Sequence, residues 1–359
     1  MAVLTQETPN ALAAGKLPRW APWAGVAIAQ GVSFATFAVL QLAVVGAAEF
    51  PVAGAVVVGA LLYVVGIVTM SALVEGRRKA VDRLVTSLVV GAFLVAMVPL
   101  VSVTITVVAN GVNRFDPEFF SWSMRNVQGA GGGALHAIIG TVLITLTAAV
   151  ISVPVGLMTS IYLVEYGRGA LARGITFFVD VMTGIPSIVA GLFAYALFAL
   201  IFGPGVKLGI AGAVALSVLM IPVVVRSSEE MLRIVPNELR EASYALGVPK
   251  WLTILKVVLP TSVAGIMTGI MISIARVIGE TAPLLIAAGF TANMNYNLFD
   301  GPMNSLPLFV YTQYMQQGNP VEAYIDRAWA GALTLIIIVM LLNVLARLFS
   351  RFFAPRFGR

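Results

Sequence analysis

Residues 236–283 read PNELREASYALGVPKWLTILKVVLPTSVAGIMTGIMISIARVIGETAP, and the two halves of this stretch follow different rules. The first half is polar. Pro236 suits the first turn of a helix, and Glu238 lies near the positive end of its macrodipole. Leu239, Ala242 and Leu246 fall on one face at i, i+3 and i+7. Gly247 stands where a left-handed C-cap would end that helix, and Pro249 blocks its continuation. The second half, from Leu259-Pro260 onward, is an apolar run that carries Arg276 and, four residues later, Glu280. A polar helix in water that feeds a hydrophobic span with two charges in it places the chain in a membrane.

Composition agrees. Apolar residues make up 59% of the 359, charged residues 11%, and the mean hydropathy is +0.96; soluble domains carry roughly twice that charge. A spanning helix needs about 20 apolar residues, and the pattern predicts an all-α polytopic bundle of about eight. The spans fall near 23–48, 51–74, 84–108, 134–162, 175–202, 208–225, 261–289 and 328–350. Span two follows span one after only Glu49-Phe50-Pro51, a tight hairpin. Pro154, Pro186, Pro222 and Pro283 each break or kink a span. In order, the chain comprises a tail (1–22), a hairpin with a basic loop (23–83), a main transmembrane domain (84–350) and a basic tail (351–359).

The net charge of +6 does not indicate nucleic acid, because basic residues of membrane proteins collect on the cytoplasmic side. With the N-terminus inside, 17 of the 22 Lys and Arg residues fall on that side, from Lys16 to Arg359. Arg114, Arg125, Lys207 and Arg327 fall outside. Both termini and the 226–258 segment are therefore expected on the cytoplasmic side of the membrane. The absence of cysteine and the single His136 exclude thiolate chemistry and a multi-histidine metal centre. No phosphate-binding GxxxxGK[ST] loop occurs, so no ATP motor is expected in this chain.

Arg276 and Glu280 are expensive residues. A charge at mid-membrane costs about 2.5–3.5 kcal/mol on insertion scales. Two readings stand side by side: an i, i+4 ion pair that orders the bundle, and an anion site at a helix break. The base precedes the acid, the less favourable order in a helix, and Pro283 would clash with the carbonyl of Gly279. Both facts favour a break near Thr281, with backbone amides and an arginine facing an oxyanion. Elsewhere, Asp180 reads as a hydrogen-bonding residue at a helix start, His136 as interfacial, and Phe119, Phe120 and Trp122 as interface anchors.

Glu241-Ala242-Ser243, three residues, Gly247, nine residues, Val257 and then Leu259-Pro260 resemble the EAA loop of ABC importer permeases; Ser243 replaces alanine and Val257 isoleucine. Arg276-Val277-Ile278-Gly279-Glu280-Thr281-Ala282-Pro283-Leu284-Leu285 is similar to the signature of the PstA permeases of phosphate-specific ABC importers. Gly140-Thr141, Tyr162 to Gly167, Gly184 to Val189, Glu229-Glu230 and Ser305-Leu306-Pro307 agree with it. The likeness covers about 84–350 and leaves the 23–83 hairpin as an addition.

The resemblance implies a type I permease bundle whose coupling segment (236–258) docks on a separate ATPase, with Glu241 facing it and Gly247 permitting the turn. It implies a PstC-type permease, a PstB-type ATPase dimer that binds the ATP and magnesium, a PstS-type binding protein, and inorganic phosphate passing Arg276, Glu280 and Thr281. A permease for another oxyanion, and a non-transporting membrane scaffold or signalling subunit that binds an ATPase, are the alternatives.

Overall fold

The structure is a computed structural model that describes residues 15–42 and 50–353, with side chains up to residue 348. The expected tail at 1–22 lies mostly outside the described residues. So do Glu49, the side chain of Arg351, and Arg356 and Arg359. Among the described residues every regular element is helical.

The chain forms two compact units, one up to Thr104 and one from Ile105 onward. The first contains α1 (Ala21–Leu40), α2 (Val52–Val74) and most of α3 (Arg77–Gly111). Their large apolar side chains, such as Val57, Leu61, Val89 and Val95, point outward, as helices solvated by lipid tails require. Polar clasps hold the unit. Ser33 donates to the Ala55 carbonyl at 2.6 Å. At the α2–α3 junction, Arg83 donates to both carboxylate oxygens of Glu75 at 2.8 and 3.1 Å, and Ser71 and the Leu17 amide add further bonds.

The second unit holds α4 (Pro117–Ser121), α5 (Leu135–Ile161), α6 (Gly169–Thr183), α7 (Ser187–Phe202), α8 (Gly209–Ile234), α9 (Asn237–Ala245), α10 (Lys250–Thr253), α11 (Leu259–Val277), α12 (Ala282–Ala287), α13 (Leu306–Met315) and α14 (Val321–Phe353). The core lies along the α5–α8 seam, where Ile144, Ala148, Leu216, Met220 and Val224 are fully buried. Small residues let these helices approach closely, and Ser152 and Ser217 donate across the seam to the carbonyls of Ser217 and Ala148.

Seven of the described helices are long and apolar enough to cross a membrane. The expected fifth span is different: α6 and α7 meet at 109° across Gly184-Ile185-Pro186, a sharp break and not a kinked rod. Proline restricts Ile185 to extended backbone, which ends α6. Pro154 and Pro222 lie inside helices that continue through them. α8 also runs on to Ile234, so 226–234 is helix and not loop.

Two packing expectations are corrected. Phe119 is wholly buried against Phe120 and Phe309, and only Trp122 of the three aromatics is openly exposed. His136 is also buried; its Nε2 meets Asn304 Nδ2 at 3.2 Å and its ring packs edge-on against Phe309. Nearby, Leu306 donates its amide to Thr141 at 2.7 Å, which ties α5 to the start of α13.

The Glu75 clasp has a pH signature. The Arg83 guanidinium lowers its carboxyl from 4.5 to about 2. A depressed folded-state pKa contributes stability that is present above 4.5 and lost as pH falls toward 2. Thermal melts of the full chain should therefore be flat above pH 5 from this source and decline below 4.5. Arg83→Gln should lower the melt at neutral pH and remove that component of the acid dependence; an unchanged melt would show that the clasp contributes nothing.

Candidate coupling and translocation site

α9 is built as its sequence suggests, with a small shift: Pro236 is the N-cap, and the helix begins at Asn237. Its end is set by Gly247, at φ +75°. Side-chain-bearing residues lose about 1–2 kcal/mol in that left-handed region. Gly247 donates its amide to Tyr244 at 2.9 Å and Val248 to Ser243 at 3.2 Å, closing the turn before Pro249 starts α10. The Ser243 and Thr253 hydroxyls share a buried hydrogen bond of 2.8 Å, which fastens α9 to α10.

The two faces of α9 differ. Leu239, Ala242 and Leu246 are exposed, Leu246 by 83%, and so is Glu241. A helix that merely covered a loop would turn that apolar stripe inward; this one turns it outward. Its inner side is locked by Arg240. That guanidinium donates twice to Glu165 Oε1, at 3.0 and 2.8 Å. It also donates to the Val235 and Leu232 carbonyls, at 2.6 and 3.0 Å. The pair is buried, with 12% of Arg240 and 5% of Glu165 accessible. Glu165 belongs to a π-helical turn, Tyr162–Tyr166, that ends α5, and Lys250 donates to its carbonyl while lying over the Tyr166 ring. The Glu165–Arg240 pair thus gathers the ends of α5 and α8 with α9 and α10.

A second charged cluster stands beside it. Arg226 pairs with Asp180 and, at 2.9 Å, with buried Glu229, which also accepts from Arg233 at 2.7 Å. Asp180 therefore lies near the end of α6 and binds a cation, contrary to the expected helix-start role. Sequence reasoning also missed the Glu165–Arg240 pair. Glu165 and Arg240 are 75 residues apart, and no local pattern connects them. Arg327, expected on the outer side, is 1% exposed; it donates to Gln313 and to the Gly129 and Gly131 carbonyls, and lies over the Tyr324 ring.

From α10, the chain runs through a second π turn, Ile254–Val258, into α11. The widened turn gives room where the ring of Pro260 would otherwise meet the Lys256 carbonyl. Lys250–Val277 acts as one rod of 28 residues, about 42 Å long at 1.5 Å per residue. Arg276 is exposed in its last turn, where the negative end of the macrodipole favours a cation.

The helix then ends at Val277, between Arg276 and Glu280. Of the two readings, the break is the one present: no i, i+4 pair forms, and neither side chain has an ion-pair partner among the described residues. The chain turns through Gly279 and half-buried Glu280 and Thr281 into α12, where Pro283 occupies the first turn. α12 has only six residues, too few for a strong macrodipole, so the Arg276 charge must dominate any attraction for an anion here.

This break is held by close backbone approach. A Cβ on Gly191 of α7 would come within 2.6 Å of the Pro283 Cα, and one on Gly212 of α8 within 2.8 Å of the Ala288 Cβ. Leu208 donates to the Ala287 carbonyl at 3.2 Å, and Met303 to that of Ala288 at 3.1 Å. The structure thus brings Pro283 against the helix that follows Pro186, while residues 241–247 sit at the other end of the α10–α11 rod.

A family model described as binding-protein-dependent transport system inner membrane component matches residues 152–359, a range that includes α9, both breaks and Arg276. Among curated proteins, the phosphate transport system permease protein PstA of Mycobacterium leprae is 47% identical over 285 residues, which are 78% of this chain and 91% of that protein. PstA of Yersinia pestis is 38% identical over 286 residues, 77% of this chain and 94% of that one. A solved bacterial alginate ABC transporter, in complex with an alginate-pentasaccharide-bound periplasmic protein, includes a chain similar in fold. Its TM-score is 0.54 at 12% identity, over 75% of this chain and 94% of that one. The chain belongs to the binding-protein-dependent transport system inner membrane components and, within them, to the PstA permease family.

Two substitutions test the scaffold. Removing one partner of a buried pair costs about 3–5 kcal/mol, so Arg240→Ala should accelerate amide hydrogen exchange across 237–245 and lower the melting temperature; wild-type exchange would rule out the lock. Gly191→Ala should also destabilise the chain, because its methyl meets main chain that cannot rotate away. A neutral result in thermal melts would mean that α7 can shift freely.

Proposed function

We propose that this chain is the transmembrane permease subunit of an ATP-driven phosphate importer. It forms the pathway with a PstC-type permease, is driven by a PstB-type ATPase dimer that binds ATP and magnesium, and is fed by a PstS-type phosphate-binding protein. Both termini and α9 face the cytoplasm, in line with the distribution of Lys and Arg. The observation that carries the transport reading is the division of α9: an exposed apolar face, and a back locked by Arg240 to the ends of α5 and α8. The names of the relatives supply the substrate.

In this reading, closure of the ATPases displaces α9 through contacts at Glu241, Ala242 and the Leu246 face. Gly247, with Ser243 bonded to Thr253, passes that movement into α10. The rod that begins at Lys250 and includes Leu259-Pro260 then shifts Arg276 and the break at Thr281–Pro283, which opens against α7 and α8. Arg276 attracts the dianion. Glu280 disfavours a fully ionised anion and can accept a hydrogen bond from the hydroxyl that hydrogen phosphate carries and sulfate lacks.

Labelled phosphate uptake by the reconstituted complex, with and without ATP and with excess sulfate, tests this. Uptake should require ATP and resist sulfate. Arg276→Gln and Glu280→Gln should each abolish uptake while subunit assembly is kept; wild-type rates in both would remove these residues from the pathway. Gly247→Val should preserve ATP hydrolysis and lose uptake; tightly coupled transport in that variant would overturn the role given to α9.

A further inference from the structure

The first unit contains a polar pocket that the transport reading does not use. It measures about 340 Å³ and is walled by Pro22 of α1, Tyr63 and Ile67 of α2, and Lys79, Asp82, Arg83, Thr86 and Ser87 of α3. The five α3 residues fall at i, i+3, i+4, i+7 and i+8, one stripe on one helix face. The stripe descends about 12 Å along an otherwise apolar helix. Apart from it, the side chains around it on α3, such as Val85, Leu88 and Val89, are apolar and exposed.

Three features point to a ligand. Thr36, Thr69 and Thr104 of the same unit return their hydroxyls to main-chain carbonyls one turn back, each at 2.7 Å. The Tyr63, Thr86 and Ser87 hydroxyls, which line the pocket, have no hydrogen-bond partner among the described residues. Arg83 is held by Glu75, whereas the Lys79 ammonium is exposed and has no such carboxylate among the described residues. Lys16, Arg19, Arg77 and Arg78 of the same unit are all exposed. The described part of the unit carries six cations against the carboxylates of Glu75 and Asp82.

We propose that this pocket binds the headgroup of an anionic glycerophospholipid. Lys79 meets the phosphate, and Tyr63, Thr86 and Ser87 bond the phosphate and glycerol oxygens. Asp82 accepts from a headgroup hydroxyl, which favours phosphatidylglycerol over phosphatidylserine. The acyl chains lie along the exposed apolar faces of α2 and α3. Basic pockets between transmembrane helices are suited to such headgroups, and the position at the water-facing end of a lipid-exposed helix excludes a deeply buried substrate. The hairpin is then a lipid clamp, and none of its pocket residues belongs to the residues given a transport role.

Native mass spectrometry of the full-length chain, titrated with dioleoyl-phosphatidylglycerol or dioleoyl-phosphatidylcholine, tests the site. The first lipid should be retained and the second lost. Lys79→Gln should lower phosphatidylglycerol occupancy about fivefold, and Thr86→Val with Ser87→Ala should lower it with no change in charge. Arg77→Gln with Arg78→Gln should have a smaller effect. Equal retention of both lipids, equal losses in the double-arginine and Lys79 variants, or competition by tail-less glycerol phosphate at equal concentration would each overturn the proposal. If Lys79→Gln does not fold, the hydroxyl pair decides.

Discussion

Inside a bilayer, a main-chain amide that leaves a helix has no water to bond, so every interruption must be covered by protein. That constraint shapes the second unit. The chain is interrupted at 184–186 and again at 278–281, and the helices that follow these interruptions pack on one another, Gly191 against Pro283. The loop beyond α12 donates back to its end through Met303, and the residue that starts α8, Leu208, donates to it from the other side. The α5–α8 seam with its small residues provides the rigid wall on which this arrangement rests.

The second organising element is the Glu165–Arg240 pair. Its oxygen and guanidinium unite the end of α5, the end of α8 and α9, and Lys250 adds the start of the α10–α11 rod. A charge pair with 12% and 5% accessibility is costly to desolvate and more costly to break. The short helix therefore cannot drift away from the spans it serves. Ser243, a departure from the alanine of the resembling motif, contributes a side-chain bond to Thr253 where alanine could offer only packing.

Local features were legible in the sequence. The turn at Gly247 and Pro249, the polar α9 and the interruption near Pro283 each follow from residues within a few positions of one another. Long-range partners were not. Asp180 looks like a helix-start residue until Arg226 comes to it across 46 positions. His136 looks interfacial until Asn304 and Phe309 cover it, and Arg327 sits in an outer loop until the Gly129 and Gly131 carbonyls enclose it. Arg276 and Glu280 leave two readings open, an ion pair and a break; the helix ends between them, as the order of the charges and Pro283 favour. Pro154 and Pro222 show that proline in a span need not end it, since neighbouring helices can re-satisfy the freed carbonyl.

The seam around α12 also has a mechanical character. Helices usually interlock by side-chain ridges seated in grooves, and sliding them requires rotamers to unlock. At Gly191 no side chain is present to interlock; bare main chain meets the main chain of Pro283. Such a joint behaves as a plain bearing. It resists separation, because contact is close, yet offers little friction to a shear of α7 past the broken helix.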